Sequence, residues 1–196
     1  MQVGILGGAF NPPHLGHVIC AQEARIQLEL DTVNLMPVAS PPHRQLSDDP
    51  GSQIRLQLCQ MVASEHSGLD VLDLEIVRGG LSYTFETLQI LTQQQPNDQF
   101  TLIIGADQAL TFGNWREPAL IGELANIAVA VRADADRTAA LEEVKRATGK
   151  EATLVDMPRI DISSSLIRER ISEGYEVDHL VAAPVAQLIR EQGMYA

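Results

Sequence analysis

Residues Val3–His17 read VGILGGAFNPPHLGH, and this stretch decides the fold. Val3–Leu6 is a short apolar run, the mark of a buried strand, and Gly7–Gly8 closes it as a turn. From Leu15 to Leu30 apolar residues recur at helical spacing, at Val18, Ile19, Ala21, Ala24, Ile26 and Leu28. A glycine turn feeding a helix N-terminus is a physical recipe for holding phosphate, because the first N–H groups of the helix have no partner. The stretch is neither G-x-G-x-x-G nor G-x-x-x-x-G-K-[ST], so the dinucleotide fingerprint and the P-loop both fail. His14 and His17 are three apart, which puts both imidazoles on one face of the first turn, where they can donate to phosphoryl oxygens. A structural zinc site needs four ligands, and no Cys/His cluster completes one.

Outward from this stretch, strands and helices alternate. Strands are expected at Thr32–Val38, Leu69–Ile76, Gln99–Ile104, Asn126–Val131 and Ala152–Val155. Helices are expected at Gln53–Ser64, Thr84–Gln95 with Thr84 as cap, Asp107–Phe112, Glu117–Leu124, Thr138–Thr148, Ser163–Ser172 and Pro184–Gln192. Gly113–Asn114 reads as a turn, Ser40–Gly51 as a loop. Such alternation is the pattern of an α/β domain with a parallel sheet. No linker or repeat divides the chain, so residues 1–196 form a single domain with a helical C-terminal segment from about 163. Ligands of such sheets bind beyond the carboxyl ends of the strands, here after Leu6, Val38, Ile104 and Val131.

The charge argues against a general nucleic-acid binder. Twenty-six acidic against 14 basic residues leave a net charge of −12, too negative for the broad basic surface of a nucleic-acid binder. No apolar run approaches the ~18 residues of a membrane helix, and MQVGILGGAF has no basic n-region, so no membrane or export is expected and the chain reads as cytoplasmic. Cys20 and Cys59 read as buried free thiols. All but Lys145 and Lys150 of the basic side chains are arginines, whose planar fork suits phosphate; codon bias would give the same imbalance.

A second anion site is expected at Asp161–Arg168 (DISSSLIR). Serines open a helix there, and Arg168 lies one turn in on the face of Ser164 and Ser165. By itself this stretch reads first as an ordinary cap followed by a solvated arginine, since serine- and threonine-rich caps are common. Asp107 in Ile104–Asp107 (IGAD) can accept from sugar hydroxyls, assist a metal, or cap a helix. Trp115 can stack on a flat ring or plug the core under its loop.

GGAFNPPHLGH resembles the GG-x-F-x-P-x-H-x-G-H signature of the nucleotidyltransferase superfamily, and ISSSLIR resembles its second phosphate motif. PPHR, SYT, IGAD and the Trp, in that order, are similar to bacterial nicotinate mononucleotide adenylyltransferases over nearly the whole chain. The resemblance implies a Rossmann-like doubly wound parallel sheet with helices on both faces. It also implies adenylyl transfer from ATP to a pyridine mononucleotide, as in NAD biosynthesis. Its residue roles follow on the matching positions. His14 and His17 would contact the ATP phosphates, with Gly8, Ala9 and Phe10 lining the nucleotide channel. Gly105 and Asp107 would hold the ribose and nearby backbone, Ile162, Ser163 and Ser164 would meet adenine and phosphate, and Arg168 would neutralise pyrophosphate. Arg44 would sit near the entering phosphate, and Thr84 and Trp115 against the pyridine ring with Arg132 nearby. Three positions differ from relatives, all on the acceptor side: Val38, Arg116 and Ala133-Asp134.

The chemistry agrees. Nucleotidyl transfer needs positioning and electrostatic stabilisation more than covalent catalysis. A 5′-phosphate nucleophile is already an anion, so no general base is needed. Mg²⁺ would arrive with ATP, held by phosphates and water. A carboxylate-bearing acceptor ring, nicotinate, is favoured by the hydroxyl of Thr84, by the unpaired N–H groups of its helix, and by Arg132 and Arg116. Nicotinamide mononucleotide, phosphopantetheine and a non-catalytic nucleotide-binding regulator are the alternatives, separated by pyrophosphate release with each acceptor. Association into a homo-oligomer is left open.

Overall fold

The chain, seen in a computed structural model, is described over residues 1–42, 45–132 and 136–196. Six strands and nine helices follow one another among these residues. The first half runs β1 (Gln2–Gly8), α1 (Leu15–Gln27), β2 (Thr32–Pro37), α2 (Ser52–Ser64), β3 (Leu69–Val71), α3 (Leu74–Arg78) and α4 (Thr84–Gln94). The second half runs β4 (Gln99–Gly105), α5 (Ala106–Ala109), α6 (Pro118–Leu124), β5 (Asn126–Val131), α7 (Arg137–Thr148), β6 (Thr153–Asp156), α8 (Ser164–Ser172) and α9 (Ala183–Gln192).

All strands pair in parallel in the order β3-β2-β1-β4-β5-β6. This is the doubly wound Rossmann-like arrangement, and its switch point lies between the carboxyl ends of β1 and β4. Neighbouring residues of β1 enter opposite cores. Leu6 packs with Val18, Leu58, Ile167 and Val185, under α1, α2, α8 and α9. Ile5 packs with Leu88, Ile121 and Val144, under α4, α6 and α7. A sheet buried on both faces explains why the strands read as unbroken apolar runs. Cys59 is buried and Cys20 half-buried, both as free thiols, and burial pushes the Cys20 thiol up to about 12.

Several local expectations are corrected. Gly7–Gly8 is not a turn: both residues stay in β1, paired with Met36 and Pro37. The first helix stops at Gln27 rather than Leu30, because Glu29 takes φ 52° and swings the chain into β2. The expected strand Leu69–Ile76 is cut to three residues, and Leu74–Arg78 is a helix. The apolar phase slips between Val71 and Leu72, so one strand could not point Leu69 and Ile76 to the same face. The expected helix Asp107–Phe112 is a single turn, followed by a 3-10 turn at Phe112–Asn114. Thr84 does not cap α4: Tyr83, extended at ψ 122°, is the N-cap and Thr84 the first helical residue.

Candidate active site

The histidine pair sits where β1 hands over to α1. After Gly8 the chain turns through Phe10, which has φ 49° and is 1% exposed. A left-handed conformation at a non-glycine residue costs of order 1–3 kcal/mol and persists only when its surroundings hold it. The ring of Phe10 supplies that hold, packing edge-on to the His17 ring at 4.8 Å. A Cβ on Gly8 would come within 3.1 Å of the same ring, which is why glycine stands there. Phe10 is thus the floor beneath His17, with Gly8 and Ala9 half-buried beside it.

His14 and His17 stack with centroids 3.7 Å apart. A Cβ on Gly16 would lie 3.0 Å from Nδ1 of His14, so the glycine between them leaves room for the stack. The backbone N–H of His14 donates to Nδ1 of His17 at 3.2 Å. An Nδ1 that accepts leaves the proton of a neutral imidazole on Nε2, which can therefore donate. Burial, then the charge of Arg132, lowers the His14 pKa from 6.5 to about 4. Burial, then His14, holds His17 well below its ordinary value. Both rings are neutral hydrogen-bond donors at neutral pH, and Nδ1 of His14 is buried with no partner among the described residues.

The serine helix closes onto this turn. Ser163 caps α8, its Oγ accepting from the Leu166 N–H at 3.1 Å. The Ser164 hydroxyl donates to the Pro12 carbonyl at 2.8 Å. Arg168 donates to the Asn11 carbonyl at 2.8 Å and to the Ser47 hydroxyl at 3.0 Å. Its Nε lies 3.6 Å from Asp48. Two motifs some 150 residues apart in the chain therefore pack directly against one another. Ile162, half-buried, places its carbonyl 3.8 Å from where a Gly16 Cβ would be.

On the other strand ends, Gly105 caps α5 and its N–H is taken by the Gln108 side chain at 3.2 Å. Asp107 follows as an exposed second helical residue, not as the cap. Arg132, just past β5, donates to Asp161 at 3.0 Å, linking that strand end to the lead-in of α8. Trp115 is half-buried and tilted against Phe112 at 4.8 Å, so it joins the core yet keeps an open edge. Thr84 is half-buried at the start of α4. Arg44, like Ala133-Asp134, lies outside the described residues.

Two residues escaped the sequence reading. Arg55 is fully buried and ties three segments together: it donates to the Ala9 carbonyl at 2.9 Å, to the Ala39 carbonyl at 3.2 Å and to Asp49 at 2.9 Å. The signal was its place in phase with Leu58, Cys59 and Val62 on an otherwise apolar helix face. Asn11, 3% exposed, accepts from the Tyr195 hydroxyl at 2.8 Å and donates to the Ser47 carbonyl at 2.9 Å. Nothing local in the sequence announces those partners.

Comparison with known proteins matches residues 5–170 to the cytidylyltransferase-like family model. A relative from Exiguobacterium sibiricum, described as a probable nicotinate-nucleotide adenylyltransferase, is 36% identical over 197 residues, covering 100% of both chains. A Synechococcus relative of the same description is 37% identical, covering 99% of this chain and 94% of that one. Among solved structures, the Plasmodium falciparum nicotinic acid mononucleotide adenylyltransferase complexed with NaAD superposes with a TM-score of 0.80. It is 16% identical and the match covers 99% and 97% of the two chains, so it speaks for the shared fold.

Proposed function

Because this chain belongs to the cytidylyltransferase-like family, and within it to the nicotinate-nucleotide adenylyltransferases, we propose that it transfers the adenylyl group of ATP to nicotinate mononucleotide. The products are deamido-NAD and pyrophosphate, a step of NAD biosynthesis, and the work is done in the cytoplasm. The observation that carries the reading is the stacked pair of neutral histidines, with Arg168 bonded to the turn that precedes them, beside the sheet's switch point.

The acceptor's 5′-phosphate oxygen attacks the α-phosphorus in line, a P–O bond forms, and the bond to the β-phosphate oxygen breaks. Nε2–H of His17, with His14 beside it, donates to the α-phosphate oxygens as charge gathers there. Arg168 and the N-terminus of α8 take the departing pyrophosphate, with Ser163 and Ser164 on the nucleotide. Gly105 and Asp107 face the ribose. No proton has to be removed from the nucleophile, so neutral histidines suffice. Among the described residues no three His, Cys, Asp or Glu side chains converge as a metal cage. Mg²⁺ fits this chain as a companion of ATP, held by phosphate and water and offsetting phosphate charge.

The test is pyrophosphate release from Mg-ATP with nicotinate mononucleotide, nicotinamide mononucleotide and phosphopantetheine in turn. The nicotinate form should have the highest kcat/KM, and Thr84→Val should shrink its lead over the amide. Equal or better turnover of the amide by the unmutated chain overturns the choice of acceptor.

A further inference from the structure

Two arginines near the acceptor end stand out in the sequence, and the structure separates them. Arg132 has Asp161 as its counter-ion, on the side of His14. Arg116 is exposed, and among the described residues no carboxylate pairs with it. Its guanidinium carbon lies 4.8 Å from the centroid of the Tyr83 ring and 5.7 Å from that of Phe85. Both distances are within cation–π range. Those two rings, 6.1 Å apart, belong to the residues on either side of Thr84. Trp115 precedes Arg116 and is itself fixed against Phe112. The cation is thus anchored at its base by a packed tryptophan and at its head by the rings that flank Thr84. An exposed arginine held in one place loses less freedom on meeting an anion than a solvated one does.

We propose that Arg116 is a specificity-determining residue, its guanidinium held over Tyr83 and Phe85 to take the ring carboxylate of the acceptor beside Thr84. The inference rests on the adenylyl-transfer reading above. A guanidinium carries donors only, so it matches the two oxygens of a carboxylate and opposes the NH₂ of the corresponding amide. The choice of acceptor then comes from a charge at this position and not from Arg132.

The measurement is kcat/KM for nicotinate and nicotinamide mononucleotides with saturating Mg-ATP, in the unmutated chain, Arg116→Gln and Arg116→Lys. Arg116→Gln should lower the acid-to-amide ratio about tenfold, the scale of one charge-assisted contact at a position open to solvent. The change should appear as a raised KM for the nicotinate form, with the KM for ATP unmoved. Arg116→Lys keeps the charge without the planar fork and should fall between. A ratio that stays within about twofold in Arg116→Gln overturns the assignment while leaving adenylyl transfer intact. Absence of pyrophosphate release by the unmutated chain with either mononucleotide removes the underlying reading, and is seen before any variant is made.

Discussion

Both histidines are held neutral by burial, and this has two measurable consequences. His17 has its Nδ1 occupied by the His14 N–H, so the catalytic role proposed for it is that of an Nε2–H donor. His17→Ala should lower kcat by about 10²–10³-fold, as loss of one preorganised donor does, while the KM for ATP changes little. Near-normal kcat in the folded variant would remove His17 from catalysis. The second consequence is a stability one. The folded pKa of His14, about 4, lies below its ordinary 6.5, so the unfolded chain binds that proton more readily. The contribution of a neutral His14 is therefore full above about pH 6.5 and lost as pH falls through about 4. Urea unfolding at pH 7 and pH 4.5 should show a smaller acid loss for His14→Gln than for the unmutated chain. Parallel losses would mean that His14 is not held neutral. Both histidines were legible in the sequence, because three-residue spacing at a helix start is local. Their neutrality was not, because it comes from burial first, then from Arg132 at His14 and from His14 at His17.

Among the elements, α2 does more than cover the sheet. Arg55 on it joins the chain leaving β1, the chain leaving β2 and the Asp49 loop. Arg55→Met fills much of the volume but leaves two half-buried carbonyls and Asp49 without their donor. It should cost about 3 kcal/mol in chemical denaturation. Arg55→Lys, which can reach one acceptor but not three, should fall between. A loss below about 1 kcal/mol in Arg55→Met would show that these bonds are replaceable by water. The edge of the sheet teaches a related point. Leu69–Ile76 looked like one strand because acidic and apolar residues alternate, but the alternation changes phase at Leu72. Glu75 is consequently buried in α3, where it accepts from the Thr87 hydroxyl at 2.8 Å. Burial raises its pKa. A short edge strand of three residues also offers little to a pairing neighbour.

For the whole molecule, the chain just past the last helix reaches back to the turn after β1. The Tyr195 hydroxyl donates to Asn11, 184 residues away in the chain. Met194 is buried beside it, 8% exposed. These two contacts predict separable effects. Tyr195→Phe should leave the thermal midpoint within a few degrees, since one hydrogen bond is worth about 1 kcal/mol net, yet lower kcat severalfold by freeing Asn11. Deletion of residues 193–196 should lower the midpoint further by uncovering Met194's pocket. A kinetically silent Tyr195→Phe would show that Asn11 is held well enough by Ser47 alone.

From the sequence alone came the alternation of strands and helices except at α3, the parallel α/β class and the two motifs expected to meet phosphate. All of these rest on signals within about a dozen residues: apolar runs, helical spacing, glycine, serine caps. Tertiary structure decided what meets what. It put Leu6 beside Ile103 through the order β3-β2-β1-β4-β5-β6, set Arg168 on the Asn11 carbonyl, and gave Arg132 to Asp161 and Arg116 to Tyr83. Periodicity tells a residue which face it is on, not which distant residue shares that face. Long side chains such as arginine choose their partners only after the backbone has closed around them.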